Sequence, residues 1–219
     1  SDLDFAIIDL EHGHFNKNEI PTIIKLLHND KKQAFIRTSS HDRSQILNCL
    51  DAGPDMILIP SVNTIEEIKN INQSAFFHPE GVRGASGCTH ANGFSKLDFN
   101  KFKSDINNSL SIGYMIESSQ GLDNLFEMIP YMKDNSLVYF GTYDLAESFG
   151  INDPYSRLLL DKIDTVVNKI KAHYPSINYG MVSNGFGTDS IPEYINFLPI
   201  FGDAGLYLRG INYALSRYK

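Results

Sequence analysis

Seven short, unbroken apolar runs recur along the chain with longer helix-period stretches between them, and that alternation constrains the fold more than any other feature. The runs are residues 5–9 (FAIID), 34–37 (AFIR), 56–59 (MILI), 112–117 (IGYMIE), 137–141 (LVYFG), 179–182 (YGMV) and 205–208 (GLYL). Strands covered on both faces lose the polar alternation of half-exposed strands, so short apolar runs bounded by turn residues read as a parallel sheet flanked by helices. The stretches between them carry helix signals. Ile20, Ile23, Ile24 and Leu27 fall on one helical face, with Pro21 tolerated in the first turn after an Asn18 cap. Thr64 and Glu67 form a capping-box pattern that opens a helix to about residue 73. Gly53 ends a helix carrying Ile46, Leu47 and Leu50, and Leu159, Ile163, Val166, Val167 and Ile170 line the longest helix, at 158–170.

Such a chain closes into a barrel or stays an open sheet, and the polar residues choose between them. Asp9, Glu11 and His12 follow the first run, Arg37 ends the second, Glu117 ends the fourth and Asp144 stands just past the fifth. In a closed parallel barrel all strand C-termini open onto one face, where side chains from different strands meet. The expectation is therefore a TIM (β/α)8 barrel. Seven runs leave one strand short of eight, and the chain starts a few residues before its first run, so the first βα unit is expected to be absent from this chain. No linker composition interrupts residues 1–219, which are read as a single barrel domain.

Composition excludes several classes of function. With 42% hydrophobic and 21% charged residues, a chain of 219 residues buries a full core. The net charge is −7 and the 19 Lys and Arg are scattered, so nucleic acid is not an expected partner. No apolar stretch approaches the roughly 20 residues of a membrane span, and the acidic opening Ser1-Asp2-Leu3-Asp4 is no secretory leader. Two cysteines, Cys49 and Cys88, make no disulfide framework, which points to a cytoplasmic setting.

The candidate chemical groups each admit two readings. Glu117 and Asp144, on consecutive strand ends, are a minimal oxygen-ligand set for Mg²⁺ or a similar ion, or else helix caps and surface ion pairs. His12 and His14 lie in an ionisable turn that supplies a general base or a satisfied surface histidine; zinc is disfavoured because no further Cys or His stands at ligand spacing. Arg37 reads as a fork for a substrate carboxylate or phosphate, or as the partner of a barrel carboxylate. The Gly-rich, basic stretch 78–87 is a weak anion cradle without a Walker ending, and 88–108 is a long polar connection, hence a functional loop or an interface segment. No lysine ends an apolar run, so imine chemistry is disfavoured.

Six motifs, IIDLEHGH (7–14), FIR (35–37), LDAG (50–53) leading into ILIP (57–60), HPEGVRG (78–84), IESSQGLDN (116–124) and GTYDLAESFG (141–150), stand in an order that resembles the HpcH/HpaI family of metal-dependent pyruvate aldolases. They are similar to its 2-keto-3-deoxyglucarate and 4-hydroxy-2-oxoheptanedioate aldolases. The resemblance implies a barrel of the phosphoenolpyruvate/pyruvate type, a homo-oligomer (a hexamer), and class II cleavage of a 4-hydroxy-2-oxo acid to pyruvate and an aldehyde. It assigns Glu117 and Asp144 to a divalent ion (Mg²⁺, Mn²⁺ or Co²⁺), His12 to the base, Asp51 to the acid paired with it, and Arg37 to the pyruvate carboxylate and transition state. Glu11 then contacts metal-bound water, and the turn Gly141-Thr142-Tyr143 contacts substrate. Met115 stands where the family usually has Gln, Thr142 and Tyr143 replace Pro-Ala or Pro-Ser, and residues 208–212 replace the family's ending after the last strand. These departures leave two further readings: a catalytically impaired barrel that serves as a binding or scaffold protein, and an acyl-CoA ester lyase of related fold.

Overall fold

The computed structural model describes residues 2–183 and 191–218. Its strands are β1 (Phe5–Asp9), β2 (Gln33–Arg37), β3 (Met56–Ile59), β4 (Ser111–Ile116), β5 (Leu137–Phe140), β6 (Asn178–Met181) and β7 (Ile195–Phe197), and they form one sheet in chain order. Every neighbouring pair is parallel. The helices are α1 (Ile20–Asn29), α2 (Arg43–Asp51), α3 (Ile65–Ala75), α4 (Phe99–Ser109), α5 (Ser119–Met128), α6 (Thr142–Ser148), α7 (Arg157–Lys171) and α8 (Asp203–Ser216).

Strand alternation divides the core into two layers. Ile8, Ile36, Ile57, Ile59, Ile112, Tyr114, Ile116, Val138 and Phe140 face outward beneath the helices, which bury Ile24, Ile46, Ile68, Leu125 and Ile163 against them. Each such side chain contributes about 1.5–3 kcal/mol through burial. Phe35, Met56, Leu58, Met115, Leu137 and Tyr139 point the other way and fill the interior with Phe5, Ile7 and Phe197. The sheet curls until its ends meet: Phe5 on β1 stacks on Phe197 on β7 with centroids 4.5 Å apart. It is a (β/α) barrel to which the described residues contribute seven strands, with no backbone pairing between β1 and β7 among them.

Local signals explain several element boundaries. Thr64 and Glu67 cap α3 reciprocally, the Glu67 N–H donating to Thr64 Oγ1 at 3.3 Å and the Thr64 N–H to Glu67 Oε2 at 2.9 Å. Gly53, just past α2, has φ +90°, a conformation that L side chains rarely adopt. Glu19 rather than Asn18 stands at the cap of α1, where its carboxylate accepts the Asn16 N–H at 2.7 Å.

Two expectations are corrected. The run at 205–208 is no strand but part of α8, and the seventh strand is Ile195–Phe197. A short apolar run does not separate a strand from a helix, and a three-residue strand carries almost no signal of its own. Residues 208–212 accordingly lie inside α8, and Phe201-Gly202-Asp203 leads from the last strand into that helix. The connection 88–108 is also no continuous loop, because residues 99–109 form α4, opened by Asp98 accepting the Lys101 N–H at 2.7 Å.

The Gly-rich stretch has a structural role over residues 80–83. Amides there donate to carbonyls of Gln73, Phe76 and Phe77, fixing a turn at the end of α3. No helix of the described residues is long and apolar enough to cross a membrane.

Candidate active site

The same alternation that buries Ile7, Phe35 and Met115 inside the barrel brings Asp9, Arg37 and Glu117, two residues further along β1, β2 and β4, onto the C-terminal rim. Asp9 and Arg37 are register partners across β1 and β2. Arg37 Nε donates to Asp9 Oδ1 at 2.8 Å and Nη2 to Oδ2 at 2.6 Å, a bidentate pair, while Nη1 stands 3.2 Å from Glu11 Oε2. Asp9 also accepts the Glu11 and His12 N–H groups at 3.0 and 3.3 Å, so the turn after β1 is folded around this carboxylate. A guanidinium has five N–H groups. The hydrogen bonds to Asp9 engage two of them.

Glu117 is the buried acid of the rim, and two neighbours set its direction. Its Oε2 accepts the Ser61 N–H at 2.7 Å, and Ser61 adopts φ +56° just past β3 to present that N–H. A Cβ on Gly141 would lie 2.6 Å from Glu117 Cγ and Oε1, so the close approach of β5 to this carboxylate requires glycine there. Asp144 sits in the first turn of α6.

The electrostatics identify a crowded anionic rim with one cation. Burial pushes the Glu117 carboxyl above its ordinary range; Glu11 and Asp144 add to this by repulsion, against the Ser61 N–H and Arg37. Glu11 is raised as well, mainly by burial, with Arg37 and His12 opposing and Asp9 and Asp144 adding. Burial also acts upward on Asp9, yet its bonds to Arg37 hold it below the usual carboxylate range. Burial disfavours the charge on Arg37, but Asp9, Glu11 and Glu117 raise its pKa and keep it protonated.

The structure thus brings Glu11, His12, Arg37, Glu117 and Asp144 into one electrostatic neighbourhood. His12 is exposed at its edge. Gly141 and Thr142 join β5 to α6; the Thr142 hydroxyl is buried with no hydrogen-bond partner among the described residues, and the exposed Tyr143 ring meets Tyr155 edge-on at 6.1 Å. Asp51 is the exception. It ends α2 and accepts from Arg83 Nη2 at 2.9 Å, with no contact to His12 among the described residues, so the expected His12–Asp51 pair is absent within this chain. A guanidinium as buried as that of Arg83 needs a carboxylate, and Arg83 has claimed this one. The sequence offered Arg37 a barrel carboxylate as partner, and that carboxylate is Asp9; sequence reasoning missed the Ser61 N–H on Glu117. The choice of Asp9 and the Ser61 contact become visible only once the register of β1, β2 and the end of β3 is known.

Glu117 and Asp144 fit a hard divalent cation. They are oxygen donors, and Arg37, the cation whose charge acts on Glu117, is already paired with Asp9. Among the described residues no group of three or more His, Cys, Asp or Glu gathers as a metal site. A two-carboxylate set suits an ion that leaves its other positions to water and substrate.

The HpcH/HpaI aldolase/citrate lyase family model matches residues 1–173. The 2-keto-3-deoxy-L-rhamnonate aldolases of Shigella boydii serotype 4 (strain Sb227) and Escherichia coli (strain K12) are each 24% identical over 220 aligned positions, covering 100% of this chain and 82% of theirs. A HpcH/HpaI aldolase/citrate lyase family protein from Burkholderia cenocepacia J2315 superimposes with a TM-score of 0.84 at 17% identity, covering 98% of this chain and 85% of that one. The HpcH/HpaI aldolase from Desulfitobacterium hafniense DCB-2 does so with a TM-score of 0.82 at 18% identity, covering 100% and 84%.

Proposed function

The chain belongs to the HpcH/HpaI aldolase/citrate lyase family, and from that premise we propose that it is a class II aldolase that reversibly cleaves a 4-hydroxy-2-oxo acid to pyruvate and an aldehyde. The observation that carries this reading is the gathering of Arg37, Glu11, Glu117 and Asp144 on one rim, over a closed apolar floor. That gathering favours an enzyme over a scaffold. The relatives' substrate, a deoxy-sugar 2-oxo acid, is the first to assay.

Glu117 and Asp144 would hold a divalent ion (Mg²⁺, Mn²⁺ or Co²⁺), which would supply Lewis-acid polarisation of the 2-oxo group. Arg37, fixed by Asp9, offers its remaining N–H groups to the substrate carboxylate and offsets charge that develops in the transition state. His12, at the open edge, takes the proton of the 4-hydroxyl as the C3–C4 bond breaks. The electrons of that bond pass to the oxo-acid fragment, which gains a proton at C3 from solvent and leaves as pyruvate. Glu11 accepts a hydrogen bond from water beside the two acids.

Glu117→Ala, or EDTA on the native enzyme, is expected to abolish pyruvate release and, in the variant, heat-detected Mn²⁺ binding. Full turnover in EDTA would overturn the metal role.

The proposal includes self-association in a reducing, cytoplasmic setting. The two thiols are free, and α8 exposes Leu206, Leu208, Ile211 and Leu215 with no residue buried, an apolar helix that a second copy would cover. The hexameric number rests on the family resemblance, and sedimentation as a 24.6 kDa monomer would refute association.

A further inference from the structure

We propose that Asn63 is a positioning residue for the ion-binding edge of the site: its amide locks the turn after β3, so that one Glu117 oxygen is committed to the protein and the other is left for a divalent ion. This rests on the aldolase reading above. The two oxygens of Glu117 face different strands. Oε2 accepts the Ser61 N–H at 2.7 Å, from the end of β3. Oε1 lies toward β5, where a Cβ on Gly141 would come within 2.6 Å of it, and it accepts no hydrogen bond among the described residues. Asp144 stands in the first turn of α6, the helix that Gly141 leads into, so the unbonded oxygen is on the side from which the second acid comes.

The Ser61 N–H reaches Glu117 only because its backbone is held. Ser61 adopts φ +56°, a conformation that L side chains rarely adopt and that persists where the surroundings enforce it. Asn63 supplies the hold. Its Nδ2 donates to the Ser61 carbonyl at 2.8 Å, and its Oδ1 accepts from the Ser118 hydroxyl. Ser118 follows Glu117 in the chain and accepts the Gly121 N–H at 3.0 Å as the cap of α5. One amide therefore joins the residue that bonds Glu117 to the residue that succeeds it. Asn63 is itself anchored through its main chain, the N–H donating to Glu67 Oε2 at 2.7 Å and the carbonyl accepting from Asn124 Nδ2 at 2.9 Å. Beside it, the Val62 N–H donates to the Met115 carbonyl at 3.0 Å, which ties the turn to β4. α5 closes on this turn because Gly121 has no side chain: a Cβ there would lie 2.8 Å from the Val62 carbonyl oxygen and 3.1 Å from Asn63 Oδ1. Bonds behind a ligating carboxylate fix its direction, and their loss weakens metal binding by about 10–100-fold.

The test is Asn63→Ala, read as Mn²⁺ affinity by calorimetry well below the unfolding midpoint. Affinity is expected to fall about tenfold or more. The Mn²⁺ concentration for half-maximal turnover should rise in parallel while kcat at saturating Mn²⁺ stays within a few-fold, a split that a merely structural effect would not produce. Asn124→Ala removes a different bond to the same turn and leaves the Asn63 amide in place, so it should keep Mn²⁺ affinity near its native value. Ser61→Gly added to Asn63→Ala should restore most of the lost affinity, because glycine takes the positive φ without being held there. Native affinity in Asn63→Ala, an equal loss in Asn124→Ala, or a double variant no better than Asn63→Ala overturns the proposal. Native protein that binds no Mn²⁺ overturns the metal role in the aldolase reading instead.

Discussion

Arg37 and Arg83 each pair with an aspartate, but only one pairing is arranged to receive a ligand. Arg37 makes a bidentate contact with Asp9, approaches Glu11, and keeps 22% of its side chain exposed on the rim. Arg83 makes one bond to Asp51, lies on the Phe77 ring at 4.7 Å, and is 1% exposed. Its Nε and Nη1 have no hydrogen-bond partner among the described residues. The electrostatics run in opposite directions. Three carboxylates outweigh burial at Arg37 and raise its pKa, whereas at Arg83 burial outweighs a single aspartate and lowers it. A half-buried, over-neutralised guanidinium with spare N–H groups is a binding tool. A fully buried one on an aromatic face ties a loop to a helix.

Removing each arginine breaks the comparison most directly. Arg37→Met is expected to lower kcat/KM for the oxo acid by roughly a thousandfold or more, since the carboxylate anchor and the charge offset go together. Its unfolding midpoint should fall only by the stability that the Asp9 clamp contributes. Arg83→Met is expected to lower stability by about 1–3 kcal/mol in urea unfolding and to leave kcat/KM within a few-fold, Asp51 being open enough to rehydrate. Equal activity losses in both variants would end the distinction.

Asp9→Asn sharpens it from the other side. Arg37 keeps its charge but loses its bidentate clamp, so kcat/KM is expected to fall about tenfold to a hundredfold. The pH dependence follows from the depressed Asp9 pKa. A carboxyl held lower in the folded than in the unfolded state adds stability above its ordinary range, and that stability is lost as pH falls through the lowered value. Acid unfolding of the Asn variant should therefore lack this component. An unchanged acid limb would show that the clamp adds nothing to the fold.

Asp51→Asn carries a smaller effect and decides a residue that family resemblance and geometry place differently. With the carboxylate on Arg83, the variant is expected to lose up to about 2 kcal/mol of stability and to keep kcat within twofold. A tenfold fall in kcat at an unchanged unfolding midpoint would return Asp51 to the chemistry.

What the sequence disclosed divides along the same line. Strands β1 to β6 were legible because each is a compact apolar run between turn residues, and the rim residues because acids and bases at strand ends stand out against those runs. Pairings between distant segments were not. Nothing in the sequence joins Arg83 to Asp51, 32 positions apart, or singles out Ser61 for Glu117. α8 was misread because a helix with no buried residue has no inner face to give its apolar positions a period.

The smallest expected effect probes the Arg83 side through its two thiols. Cys49 is buried on α2, two residues before Asp51, and Cys88 is exposed in the stretch that follows Arg83. Burial pushes the Cys49 thiol up to about 12. At pH 8 its thiolate fraction is then on the order of one in ten thousand, and disulfide reagents attack the thiolate. Native protein should accordingly show one prompt equivalent, from Cys88, and a second that appears only as the chain opens. Arg83 holds its stretch to α2 through Asp51, and Ala91 adds a backbone bond to the Asp51 carbonyl at 3.1 Å. Arg83→Met should therefore hasten the slow equivalent several-fold, while Arg37→Met leaves it unchanged, because opening around α2 depends on the first arginine and not on the second. Identical Cys49 kinetics in the two variants would mean that the Arg83–Asp51 pair does not hold this part of the barrel closed.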